Sequence, residues 1–89
     1  MQNSLEIAVK KGFKEIYNID IESVEFQATR KEFEGDMTIV VFAFLRFVKG
    51  NPIEIGTKIG QYLKDNVDEV ADFNVVKGFL NLVIADSFF

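Results

Sequence analysis

The chain has 89 residues, enough for one small domain, and at 48% hydrophobic with 10 phenylalanines it can bury a core rich in aromatic rings. It contains no cysteine and no histidine, which excludes disulfides, thiolate chemistry, and the commonest general base and metal ligand. The formal net charge of −4 argues against a protein that coats nucleic acid non-specifically.

The first element in chain order is a helix. Leu5, Ala8, Val9, Phe13, Ile16 and Tyr17 recur at spacings of three and four and form one apolar face. Asn3 and Glu6 suggest a capping box, Lys10, Lys11 and Lys14 lie on the outer face, and the helix should end near Tyr17-Asn18. Alternation follows, with Val24, Phe26 and Ala28 facing one way and Glu25, Gln27 and Thr29 the other, which predicts a half-buried strand. Arg30 to Asp36 reads as a charged loop.

Met37 to Lys49 carries two signals. Its β-branched and aromatic content favours a strand. Its boundaries favour a helix, with Asp36 as N-cap, Arg46 and Lys49 in the last turn and Gly50 just beyond. We assign a central, buried helix. Asn51-Pro52-Ile53-Glu54 is a clear start for the next helix, whose buried stripe is Ile55, Ile59, Tyr62, Leu63 and Val67. Gly56 and Gly60 weaken that helix by roughly 1 kcal/mol each, so close approach of a neighbouring backbone is expected there. After a polar connector at Asp65 to Glu69, strands are expected around Phe73 to Val76 and from Phe79 to Ala85, joined by a turn at Gly78.

The resulting order is helix, strand, helix, helix, strand, strand. It predicts a single α+β domain over 1–89: a small antiparallel sheet of three or four strands with helices packed on one face. No segment reads as a signal peptide or a membrane span, and the chain is expected to be cytoplasmic without membrane partners. The terminal Phe88-Phe89 suggests a domain of a longer protein.

Three constellations could carry chemistry. Glu32, Glu34 and Asp36 could bind a divalent cation, but the spacing is not that of an EF-hand and a solvated loop is favoured, so no metal site is assigned. Gly56 and Gly60 lie inside a helix and form neither a P-loop nor a dinucleotide fingerprint. Strand alternation puts Phe79 and Asn81 on one face and Leu80, Leu82 and Ile84 on the other. If the leucine face is core, a ring able to stack on a base and an amide able to read its edge stand side by side, next to Lys77 and Gly78.

Gly35-Asp36-Met37-Thr38, Asn51-Pro52-Ile53-Glu54-Ile55 with Gly60-Gln61-Tyr62-Leu63, and Val75 through Leu82 together resemble the N-terminal additional domain of arginyl-tRNA synthetases over nearly the whole chain. The resemblance implies a domain that precedes a class I catalytic domain and contacts the D-loop of tRNA-Arg. Gly78, Phe79, Leu80 and Asn81 match the family's glycine-aromatic-apolar-amide pattern, which implies that Phe79 packs on a loop nucleotide and Asn81 hydrogen-bonds its edge. Lys77, and with it Arg30 and Lys31, would contact phosphates. Met37 departs from the aromatic residue frequent at its position, and Val76 from a polar one. The chain lacks the His-Ile-Gly-His and Lys-Met-Ser-Lys types of signature. It is therefore expected to catalyse nothing alone and to need no cofactor. ATP with magnesium would serve the parent arginine–tRNA ligase. The alternative from another class is a protein-interaction module with an exposed aromatic face.

Overall fold

In the computed structural model, which describes residues 2–29 and 35–85, α1 spans Gln2–Tyr17 and stops where the sequence predicts, with Asn18 at φ 57. Asparagine tolerates this left-handed conformation better than most residues, and Asn18 N–H still donates to Lys14 O at 3.0 Å. Leu5, Val9 and Phe13 are fully buried on the predicted face. Helix α1 begins at Gln2, so Asn3 lies inside it rather than at the N-cap position expected, and Glu6 has partners among the described residues. Its carboxylate accepts from Val24 N–H at 3.4 Å and lies 3.6 Å from Lys10 Nζ. The side chain of Asn3 lies outside the described residues.

Strand β1 (Phe26–Ala28) is followed by β2 (Met37–Val40), then by a short 3-10 helix at Val41–Arg46. The helix predicted over Met37 to Lys49 is thus corrected: its first four residues are a strand. Thr38, Ile39 and Val40 pack well on a pleated surface, and β2 has pairing partners on both edges. Asp36 does not cap a helix. Its N–H donates to Leu82 O at 2.8 Å and its carboxylate accepts from Ile84 N–H at 2.9 Å, which anchors the start of β2 to β4.

Helix α2 (Pro52–Asn66) begins as expected, with Asn51 Oδ1 accepting from Ile53 N–H at 2.8 Å and Pro52 in the first turn. Strands β3 (Val70–Val76) and β4 (Phe79–Ile84) form a hairpin with one extra residue, Ala71, in β3. The sheet is antiparallel with strand order β1-β2-β4-β3, so the fourth strand allowed by the sequence is present.

Ile55, Ile59 and Leu63 of α2 are buried in one core cluster with Ile39, Leu80, Leu82 and Ile84 of the sheet. Burying each such side chain contributes roughly 1.5–3 kcal/mol. Phe13 joins them and meets Phe44 at 4.5 Å between ring centroids. What approaches the two helix glycines is not backbone but side chains. Gly56 faces the Val75 methyls, and a Cβ at Gly60 would lie 2.5 Å from the Phe73 ring. The Gly60→Ala variant should therefore be destabilised by about 1–3 kcal/mol, overpacking outweighing the gain in helix propensity, whereas Gly56→Ala, with 3.1 Å to Val75, should stay near the parent in urea melts.

Candidate nucleic-acid interface

The core residues of β4 alternate with Phe79, Asn81 and Val83, which face away from α2. Pairing carries this outer face across the sheet. Thr38 and Asn74 flank Asn81, and Val40 and Val76 flank Phe79. The alternation predicted for Phe79 and Asn81 is thus present, with Leu80, Leu82 and Ile84 in the core.

The surroundings of Asn81 differ from a solvated strand face. Asn81 is 1% exposed and Thr38 4%. The Thr38 hydroxyl donates to Asn81 Oδ1 at 2.6 Å, and Asn81 Nδ2 donates to Asn74 Oδ1 at 2.9 Å. Thr29 Oγ1 lies 2.8 Å from Thr38 Oγ1. Because Thr38 has one hydroxyl proton and gives it to Asn81, Thr29 must be the donor in that bond. The polar row therefore runs in one direction across the sheet, from Thr29 through Thr38 and Asn81 to Asn74, and bonds aligned head to tail reinforce one another. Gly35 closes over it, since a Cβ there would come within 3.2 Å of Asn81 Cβ and Thr29 Oγ1. The amide expected to meet a base edge thus has both ends engaged inside the sheet.

Phe79 lies at the hairpin end of the face, half-buried, and meets a second ring that the sequence reading missed. Phe42 stands 5.2 Å from Phe79 between centroids at an interplanar angle of 66°, edge to face. It was missed because Met37 to Lys49 read as one buried helix. The strand content of Thr38-Ile39-Val40 was the available signal, since a strand ending at Val40 sends the next residues back toward the hairpin. Lys77 and Gly78 form the turn. Lys77 is exposed with φ 55, and among the described residues it makes no ion pair. Gly78 is buried beneath the Phe42 ring, its carbonyl accepting from Val41 N–H at 2.8 Å.

Lys77, Gly78 and Phe79 are thus brought together with Phe42, and Asn81 sits two residues along the same strand face. Arg30 and Lys31, with Glu32 and Glu34, lie outside the described residues. Of the other cations, Arg46 is stationed over the Phe47 ring at 5.4 Å. Burial raises the phenol pKa of Tyr17 and of Tyr62, and the hydrogen bond from Phe73 N–H, with Lys64 nearby, lowers the carboxyl pKa of Asp72. None of these groups lies at the Phe42–Phe79 corner, which offers stacking and a cation rather than acid–base chemistry. Gly56 and Gly60, inside α2, are covered by Val75 and Phe73. Among the described residues no cluster of three acidic groups could hold a metal ion, and no helix is long and apolar enough to cross a membrane.

Removal of the Thr38 hydroxyl tests the polar row. Thr38→Val preserves shape and strand propensity but strips Asn81 Oδ1 of its donor at a buried position. It should cost about 1–3 kcal/mol in chemical denaturation, against less than about 0.5 kcal/mol for Thr57→Val on the exposed side of α2.

Comparison with known proteins finds relatives along nearly the whole chain. Residues 2–84 match the family described as the arginyl tRNA synthetase N terminal domain. The chain is 42% identical over 99 aligned positions to an arginine–tRNA ligase of Flavobacterium psychrophilum, covering 100% of this chain and 16% of that protein. It is 49% identical over 82 positions to the arginine–tRNA ligase of Parabacteroides distasonis, covering 90% of this chain and 14% of the other. The chain therefore spans about a sixth of the length of the relatives it matches. Its fold also superposes on the Thermus thermophilus arginyl-tRNA synthetase with a TM-score of 0.82 at 20% identity, over 99% of this chain and 14% of that one.

Proposed function

The chain belongs to the arginyl-tRNA synthetase N-terminal domain family, and from that premise we propose that it binds tRNA-Arg at the D-loop through the outer face of its sheet, as part of an enzyme that joins arginine to tRNA using ATP with magnesium. The observation that carries this reading is the corner where the half-buried Phe79 ring meets Phe42 beside the exposed Lys77. Unpaired loop bases have free faces for a ring and free edges for an amide, whereas paired bases have neither. Adenylate formation and arginine transfer belong to a catalytic domain of the same polypeptide, and this domain contributes only tRNA contacts.

The side chains take different parts. Phe79 packs against a loop nucleotide, Gly78 lets the backbone come close, and Lys77 neutralises a neighbouring phosphate, with Arg30 and Lys31 as further phosphate partners. Asn81 holds the face together in the free protein. Its oxygen and nitrogen each keep a second hydrogen-bonding position, so bonding directly to a base requires the buried amide to be uncovered rather than its partners to be exchanged. Few cations on a chain of net charge −4 imply weak binding by the domain alone, with most of the enzyme's affinity arising elsewhere.

A titration of the isotopically labelled chain with tRNA-Arg tests the assignment. The backbone signals of Phe79 and Asn81 should shift, and the reading fails if they stay still while signals elsewhere move. Raising salt from ~50 to ~200 mM should weaken binding about threefold if Lys77 alone meets a phosphate of the unpaired loop, and about 20-fold if Arg30 and Lys31 do so too. A partner protein that binds with no salt dependence, in place of tRNA, would favour the interaction-module alternative.

A further inference from the structure

Phe42 is 47% exposed, more than Phe79, yet it is not a loose side chain. Three constraints fix it. The bond from Val41 N–H to Gly78 O ties its backbone to the hairpin turn, its ring covers Gly78, and its edge-to-face contact with Phe79 sets the ring angle. A Cβ at Gly78 would collide with Cδ1 and Cε1 of Phe42, so the glycine is what allows the ring to lie there. Phe47, just beyond the end of the same short helix, is as exposed, but its ring is engaged by the Arg46 guanidinium. Phe42 instead covers Gly78, the residue after Lys77, and among the described residues Lys77 makes no ion pair.

We infer that Phe42 is a second nucleotide-contacting residue, which offers the larger stacking face to an unpaired RNA base while the Phe79 ring buttresses it from the side. This assignment rests on the RNA-binding reading above and adds a residue to it. An aromatic face held in place before binding loses little conformational freedom when a base lands on it, which favours stacking over a mobile side chain. Two rings at 66° cannot sandwich one base between parallel faces. The more exposed ring, Phe42, therefore carries the stack, and Phe79 touches the same nucleotide at its edge. In this arrangement Gly78 is a positioning residue, because it acts through Phe42.

The probes are an RNA hairpin with 2-aminopurine in an unpaired loop and a fully paired RNA duplex of equal length. Phe42→Leu should weaken hairpin binding about tenfold and abolish the stacking-dependent fluorescence change, with duplex binding unaltered. Phe42→Tyr should bind as the parent does, and Gly78→Ala should reproduce the loss by displacing the ring without removing it. Circular dichroism checks that each variant is folded. If Phe79→Leu loses hairpin binding while Phe42→Leu and Gly78→Ala keep it, the role of Phe42 is overturned and the earlier reading stands. If all three bind as the parent does, both fail. Equal losses on hairpin and duplex, or a Tyr variant as weak as Leu, would also overturn stacking by Phe42.

Discussion

The alignment of β2 against β4 is the constraint on which the rest of this domain depends. Thr38 lies opposite Asn81, and the 2.6 Å bond between their side chains sits in a buried environment. Asp36 holds the same two strands together at one end through Leu82 and Ile84. With this register, Val40 falls opposite Phe79, the chain turns at Val41, and Phe42 arrives over Gly78. A slip of one residue would turn Thr38 toward α2 and Ile39 toward the outer face, so both sides of the sheet resist it.

The two faces of the sheet do different work. The inner face is apolar and close-packed against α2, with Gly60 admitting the Phe73 ring and Gly56 the Val75 methyls. That packing supplies stability. The outer face carries a directed row of hydrogen bonds beside an aromatic corner, an arrangement that specifies position more than it adds energy. A buried row of satisfied polar groups next to partly exposed rings is what a recognition surface requires: rigid support, and little to reorganise when a ligand arrives.

Much of this was legible in the sequence, and the gaps have physical causes. Alternation alone placed Phe79 and Asn81 opposite Leu80, Leu82 and Ile84, because a side chain in a strand has only two faces available. Asn51-Pro52 announced α2 because capping is local chemistry. Met37 to Lys49 was misassigned because Asp36, Arg46 and Gly50 imitate helix boundaries, while the deciding contacts, to β1 and β4, lie far away in the chain. The same error hid Phe42. The burial of Asn81 was equally out of reach, since it depends on Thr29, Gly35, Thr38 and Asn74 converging from three other segments. The family resemblance singled out Phe79 and Asn81, but local pattern could not tell that the Asn81 amide is engaged inside the sheet.

In the proposed reading the surface engages RNA by the rings at the hairpin end, supported by the amide row on the same face. The most direct measurement is of intermolecular nuclear Overhauser effects between the labelled chain and an RNA hairpin with an unpaired loop. The account predicts contacts from the ring protons of Phe42 and Phe79 to base protons of the loop. Contacts confined to the α1–α2 groove around Ile7, Lys11 and Tyr62, with none at either ring, would contradict it.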